Sequence, residues 1–250
     1  MSVADCLWPH LPPRYDTALR EAVSFVLREF QPLGIIATGT IIRGAAHATS
    51  DLDIVVIREG RFRRRIQRWF GDVPAEIFVN PPSQIRAYFA EEHRDAEPLT
   101  AHMVATGFVI YNASGVVDDL RSEAQAWLDT LNPPSHAEIV RARYGAATRF
   151  EDALDVASTD EATATMLFTL SVTSMVELYC RIHLGHVPRR KDLLAAVDAN
   201  DETLGQVVRA FFSATSFRDR RLLAEDLADV LVGTRGFFEW DSGEGATDAP

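Results

Sequence analysis

The 250 residues predict an α+β fold: a small mixed β-sheet domain followed by a C-terminal α-helical bundle. Three observations carry that expectation. Short β-branched runs alternate with amphipathic stretches up to about residue 130, Asn132-Pro133-Pro134-Ser135 then interrupts the chain, and every apolar pattern beyond it has helical spacing.

Tyr15, Leu19, Ala22, Val23, Val26 and Phe30 recur at helical spacing until Pro32-Leu33-Gly34 breaks the pattern, which predicts a first amphipathic helix. Ile35 to Gly39 and Leu52 to Ile57 are apolar runs of strand length and read as two buried strands. A basic helical stretch is expected between Arg61 and Phe70. A third strand follows, Ala75 to Asn80, ending at Pro81-Pro82, and Ser83 is the expected N-cap of a helix running towards Glu92. Phe108 to Tyr111 reads as a further strand and Val116 to Leu131 as a helix.

The paired prolines at 133 and 134 cannot continue that helix, so the boundary falls there. The expected domains are 1–131 and 135–240, with a disordered acidic tail at 241–250. In the second domain, helical stripes run through Ala137 to Ala157, Lys191 to Ala199, Leu204 to Phe212 and Arg218 to Val232. A further stripe comprises Leu167, Leu170, Ser171, Ser174, Met175, Leu178 and Ile182. Short connections between such helices predict an antiparallel bundle.

Charge and composition exclude several classes of function. The net charge of −11 lacks the cationic footprint of a protein that coats nucleic acid or an anionic membrane. Residues 1–130 hold 13 bases and 17 acids, whereas residues 131–250 hold 12 bases and 19 acids, so the helical part is the more acidic. Two cysteines, Cys6 and Cys180, make no disulfide framework and have no metal-ligand spacing. The first 13 residues lack the basic flank and apolar run of a signal peptide, and no stretch reaches membrane-span length. A soluble, cytoplasmic protein is expected.

One segment concentrates chemistry: Gly39-Thr40, then Ile41 to Ser50, then Asp51-Leu52-Asp53. Residues i and i+2 of a strand share a face, so Asp51 and Asp53 place two carboxylates side by side. Like charges repel at short range, and a divalent cation reverses the sign of that interaction. Glu76, between Ala75 and Ile77 on the next expected strand, supplies a third acid. Three oxygen donors suit Mg²⁺, which leaves its other positions to water and substrate phosphates. Gly39 lets a ligand approach the backbone, and Thr40, Arg43 and Ser50 add donors for phosphate.

This segment resembles the signature of the nucleotidyltransferase superfamily related to DNA polymerase β: Gly-Ser, ten residues, Asp-x-Asp, and a third acid on a neighbouring strand. The spacing agrees, and Thr40 replaces the serine while keeping the hydroxyl. The resemblance implies that Asp51 and Asp53 bind catalytic Mg²⁺, two ions in all, that Glu76 is the third ligand or the general base, and that Gly39 and Thr40 hold the triphosphate. It covers residues 30 to 80 closely and extends loosely to about 130. The order of elements is also that of minimal nucleotidyltransferases and aminoglycoside adenylyltransferases, and the helical half resembles the substrate-binding bundle of the latter. The expected activity is transfer of a nucleoside monophosphate, AMP from ATP, to an acceptor hydroxyl. Three alternatives stay open: a small cationic acceptor such as an aminoglycoside, a protein hydroxyl, or nucleotide sensing without turnover.

Other residues weigh less. Lys191, the only lysine, follows Pro188-Arg189-Arg190 at an expected helix start and is a candidate nucleotide-phosphate contact. Arg61, Arg63, Arg64, Arg65 and Arg68 read as a solvated helix face rather than an RNA surface, since no aromatic-rich sheet motif accompanies them. Arg181 and His186 loosely match the Arg-x4-His pattern of HEPN-type ribonucleases, but Gly185 and Pro188 break the helix that pattern needs. His183 and His186 have no third metal ligand at the right spacing. Glu151, Asp152 and Asp155 form a solvated face or line a pocket for a polycationic acceptor.

Overall fold

A computed structural model describes residues 3–130 and 132–241 and has the α+β architecture. The chain divides into two compact units, 1–130 and 131–250. The expected acidic tail, apart from Asp241, lies outside the described residues. Among the described residues no helix is long and apolar enough to cross a membrane.

In the first unit, α1 (Pro13–Phe30) precedes β1 (Gly34–Thr38), the one-turn α2 (Gly39–Ile42) and β2 (Leu52–Ile57). β3 (Arg64–Phe70) and β4 (Val73–Asn80) follow, then α3 (Pro82–Arg94), α4 (Leu99–Thr106), β5 (Phe108–Asn112) and α5 (Val116–Asp129). The sheet order is β3-β4-β2-β1-β5, with β2 and β4 parallel and every other pair antiparallel. Alternation along the strands gives the sheet two faces. One packs Ile35, Ala37, Ile54, Val56, Ile77 and Val79 with α1 residues such as Leu19, Val23 and Val26. The other buries Ile36, Val55 and Ile57 under Ile85 and Phe89 of α3, Val104 of α4, and Val117 and Leu120 of α5.

Two expectations fail in this unit. The basic stretch between Arg61 and Phe70 is not a helix: residues 64–70 form edge strand β3, paired with β4 from Arg64↔Val79 to Phe70↔Val73. Gly71-Asp72 closes the hairpin, with Gly71 at φ +58°, the conformation a two-residue turn asks of its first central residue. Arg64 and Arg68 lie over the rings of Phe30 and Phe25, so polar residues occupy even the face that meets α1. Ser83 is also not an N-cap; α3 begins at Pro82, where a missing N–H costs nothing.

The second unit contains α6 (His136–Val156), α7 (Glu161–Leu184), α8 (Leu193–Asn200), α9 (Glu202–Ser213) and α10 (Phe217–Leu231). α6 and α7 run antiparallel: Phe150 meets Phe168 edge to face at 5.1 Å, and Arg181 near the end of α7 donates to Glu138 near the start of α6 at 2.8 Å. Buried Ser171 donates to the Ala146 carbonyl at 2.7 Å, joining the two helices. The expected α7 stripe holds in part, with Ser171, Met175 and Leu178 buried. Leu170 and Ile182 are exposed, while Phe168, Val172 and Val176 are buried. α7 carries apolar residues on nearly every side, so periodicity alone could not select the buried one.

Candidate functional site

Register builds the site. Thr38 pairs with Asp53 across β1 and β2, Asp53 with Glu76 across β2 and β4, and Gln67 with Glu76 across β3 and β4. Residues in register share a face, so Thr38, Asp53, Glu76 and Gln67 form one polar row across four strands. Asp51 stands one residue before β2, and a carboxylate oxygen from each of Asp51, Asp53 and Glu76 lies within 4.8 Å of the others. Among the described residues this is the one group of three or more acidic, histidine or cysteine side chains with such convergence. The donor set is all hard oxygen, the kind Mg²⁺ takes, so these residues fit the metal.

Gly39 is required twice over. Its φ of +90° suits glycine, and a Cβ there would stand 2.4 Å from Asp53 Oδ2. The strand-to-helix turn therefore presses its backbone onto the acidic cluster. Beyond α2 the loop folds back on itself: Ala45 N–H donates to Thr40 O at 2.9 Å, and Thr40 Oγ1 and Ser50 Oγ share a hydrogen bond at 3.1 Å. His47 N–H donates to Ser50 Oγ at 2.8 Å, and Ser50 N–H returns to His47 O at 3.0 Å. Ser50 thus ties the Gly39-Thr40 turn to the approach of Asp51. Arg43 caps α2 at its exposed end.

Glu76 has partners that the sequence alone does not reveal. Its Oε1 accepts from Arg65 Nε and, at 3.1 Å, from Gln67 Nε2. The Arg65 guanidinium holds the Glu76 carboxyl below the usual glutamate range, assisted by Gln67 and opposed by burial. The Glu76 side chain is 12% exposed, against 65% for Arg65. A carboxylate kept anionic and already accepting two donors is suited to ligation and is a weak proton acceptor. The signal for these partners was Arg65-Ile66-Gln67, two polar residues at strand spacing opposite a buried acid.

The other candidates fall in other elements. Lys191 lies in the second unit, in an exposed turn before α8, which starts at Leu193 with Asp192 as its N-cap residue. Arg181 is bound to Glu138, α7 ends at Leu184, and His183 rests on Tyr179 at 4.4 Å between ring centres. Asp152 and Asp155 are exposed on α6, and Glu151 is half-buried. Cys6 and Cys180 are buried and free.

Comparison with solved structures finds a nucleotidyltransferase-like protein from Exiguobacterium sibiricum, with a TM-score of 0.50 over 86% of this chain and 73% of that one. The fold is nucleotidyltransferase-like. Sequence identity is 14%, so the likeness extends to architecture. No family model matches the chain, and no curated protein matches it by sequence.

Proposed function

We propose that the protein is a metal-dependent nucleotidyltransferase that moves AMP from ATP to an acceptor hydroxyl. The observation that carries this reading is the convergence of Asp51, Asp53 and Glu76 at the end of a Gly39-Thr40 turn, on a nucleotidyltransferase-like fold. Asp51, Asp53 and Glu76 would hold Mg²⁺, two ions by family resemblance, which when bound supply Lewis acidity for phosphoryl transfer. The Gly39-Thr40 turn, with Ser50 and Arg43, holds the triphosphate so that its α-phosphorus faces the acceptor. The acceptor oxygen forms the new bond to that phosphorus as its proton passes to solvent, the bond to the bridging oxygen breaks, and pyrophosphate leaves. Glu76 acts as the third ligand, in keeping with its convergence with Asp51 and Asp53.

The acid excess of residues 131–250, 19 against 12 bases, supports a small cationic acceptor of the aminoglycoside class. Incubation with α-labelled ATP and an acceptor library tests this. Label on an added aminoglycoside supports it, label on a protein band moves the assignment to protein modification, and tight binding without transfer indicates a sensor. Calorimetry tests the foundation: Mg²⁺-dependent ATP binding is expected to vanish in the Asp51→Asn, Asp53→Asn double variant. Unchanged binding there would overturn the reading.

A further inference from the structure

Glu76 belongs to two arrangements at once. It is one of the three acids that meet within 4.8 Å, yet its Oε1 is already taken by the Arg65 guanidinium and the Gln67 amide. A metal ion and a guanidinium beside one carboxylate repel each other, most strongly where the carboxylate is withdrawn from water.

Arg65 is placed for exchange. Its Cα partner on β4 is Phe78, and its guanidinium lies 5.1 Å from the centre of that ring, a shelf beside Glu76. It also senses the charge of Asp53. Edge strand β3 leaves the Arg65 side chain 65% exposed, so it can turn outward without opening a cavity. Arg64 and Arg68 cannot substitute, because they point to the opposite face and lie over Phe30 and Phe25, and Arg63 donates to the Tyr88 hydroxyl at 2.9 Å. A planar guanidinium released there is matched in shape and charge to phosphate oxygens.

We propose that Arg65 is a resident counter-ion of the acidic cluster, holding Glu76 until a metal–nucleotide complex arrives and then passing to the nucleotide's phosphates. In the free protein it acts through Glu76, and the proposal rests on the triad being the metal site. Its consequence is thermodynamic: the cluster binds a bare divalent ion weakly and binds ion and nucleotide cooperatively.

Mn²⁺ titration of the full chain by electron paramagnetic resonance, with and without α,β-methylene-ATP, tests this. Without nucleotide, Arg65→Gln is expected to bind Mn²⁺ about tenfold more tightly than wild type, an ordinary coupling magnitude. With nucleotide, wild type gains more than the variant does, and the difference between them narrows or reverses. Mere structural damage would weaken the ion instead. Should R65Q fail to fold, R65K serves in its place, and its poorer grip on Glu76 also predicts tighter Mn²⁺. Equal or weaker Mn²⁺ binding in the folded variant, while binding still depends on Asp51 and Asp53, overturns the role of Arg65 alone. Absence of Mn²⁺ binding in both proteins, with and without nucleotide, overturns the metal site and this proposal together.

Discussion

On β1 and β2, Ile36 and Val55 lie two residues from Thr38 and Asp53, on the same face of the same strands. The first pair is sealed under α3, α4 and α5, whereas the second belongs to the polar row that includes the acidic cluster. Backbone geometry and neighbouring strands are shared, so neither accounts for the difference. Helical cover does. α3, α4 and α5 pack on Ile36 and Val55, whereas Thr38, though buried, is polar and Asp53 is only half-buried, as an uncompensated carboxylate requires. Glu76 is the transitional case, nearly buried yet anionic, and it is the acid that has Arg65 and Gln67 as fixed partners.

Moving charge into the covered end breaks this contrast most severely. Val55→Asp puts a carboxylate where the side chain is enclosed, and the loss is expected to exceed about 4 kcal/mol, enough to abolish cooperative urea unfolding of the first unit. A smaller disturbance comes from Gly39→Ala beside the acidic cluster. Strain at a positive φ is expected to cost about 1–3 kcal/mol, and the new methyl group displaces Asp53, so Mn²⁺ affinity should fall while urea unfolding stays cooperative.

The smallest effect sharpens the contrast by testing an acid whose work is structural. Ser135 and Glu138 form a capping box at the start of α6, and Ser135→Ala is expected to cost about 1 kcal/mol in chemical denaturation. The Ser135 hydroxyl first, then its N–H and Arg181, hold the Glu138 carboxyl down to about 2. A depressed pKa stabilises the fold above the ordinary glutamate range and loses that contribution as pH falls towards 2. The penalty of S135A should therefore be full at pH 7 and shrink in acid, and solvent exposure of Glu138 keeps it modest.

The acidic triad was legible because each member violates its surroundings: Asp51 and Asp53 open an aliphatic strand, and Glu76 interrupts another. β3 was not legible, because it is an edge strand with polar residues on both faces. Arg64 and Arg68 occupy positions where alternation would call for aliphatic side chains, and they meet that demand by lying over aromatic rings. The one local sign was Gly71-Asp72 between Phe70 and Val73. Missing the strand also concealed Arg65 and Gln67, since only pairing with β4 brings them to Glu76. On α7 the obstacle was reversed: apolar residues all around the helix left its core face only partly marked.

The parallel pairing of β2 with β4 bears on how the protein acquires its site. The β3–β4 hairpin is local and closes through two residues, so Arg65 and Gln67 can meet Glu76 early in folding. Asp53 reaches Glu76 only through a parallel ladder that no tight turn can form, a slower, long-range event. In refolding, Glu76 should thus be neutralised before the other two acids approach, sparing the nascent sheet an encounter of three like charges. Mn²⁺ capture would then report the final closure of the sheet rather than its first collapse.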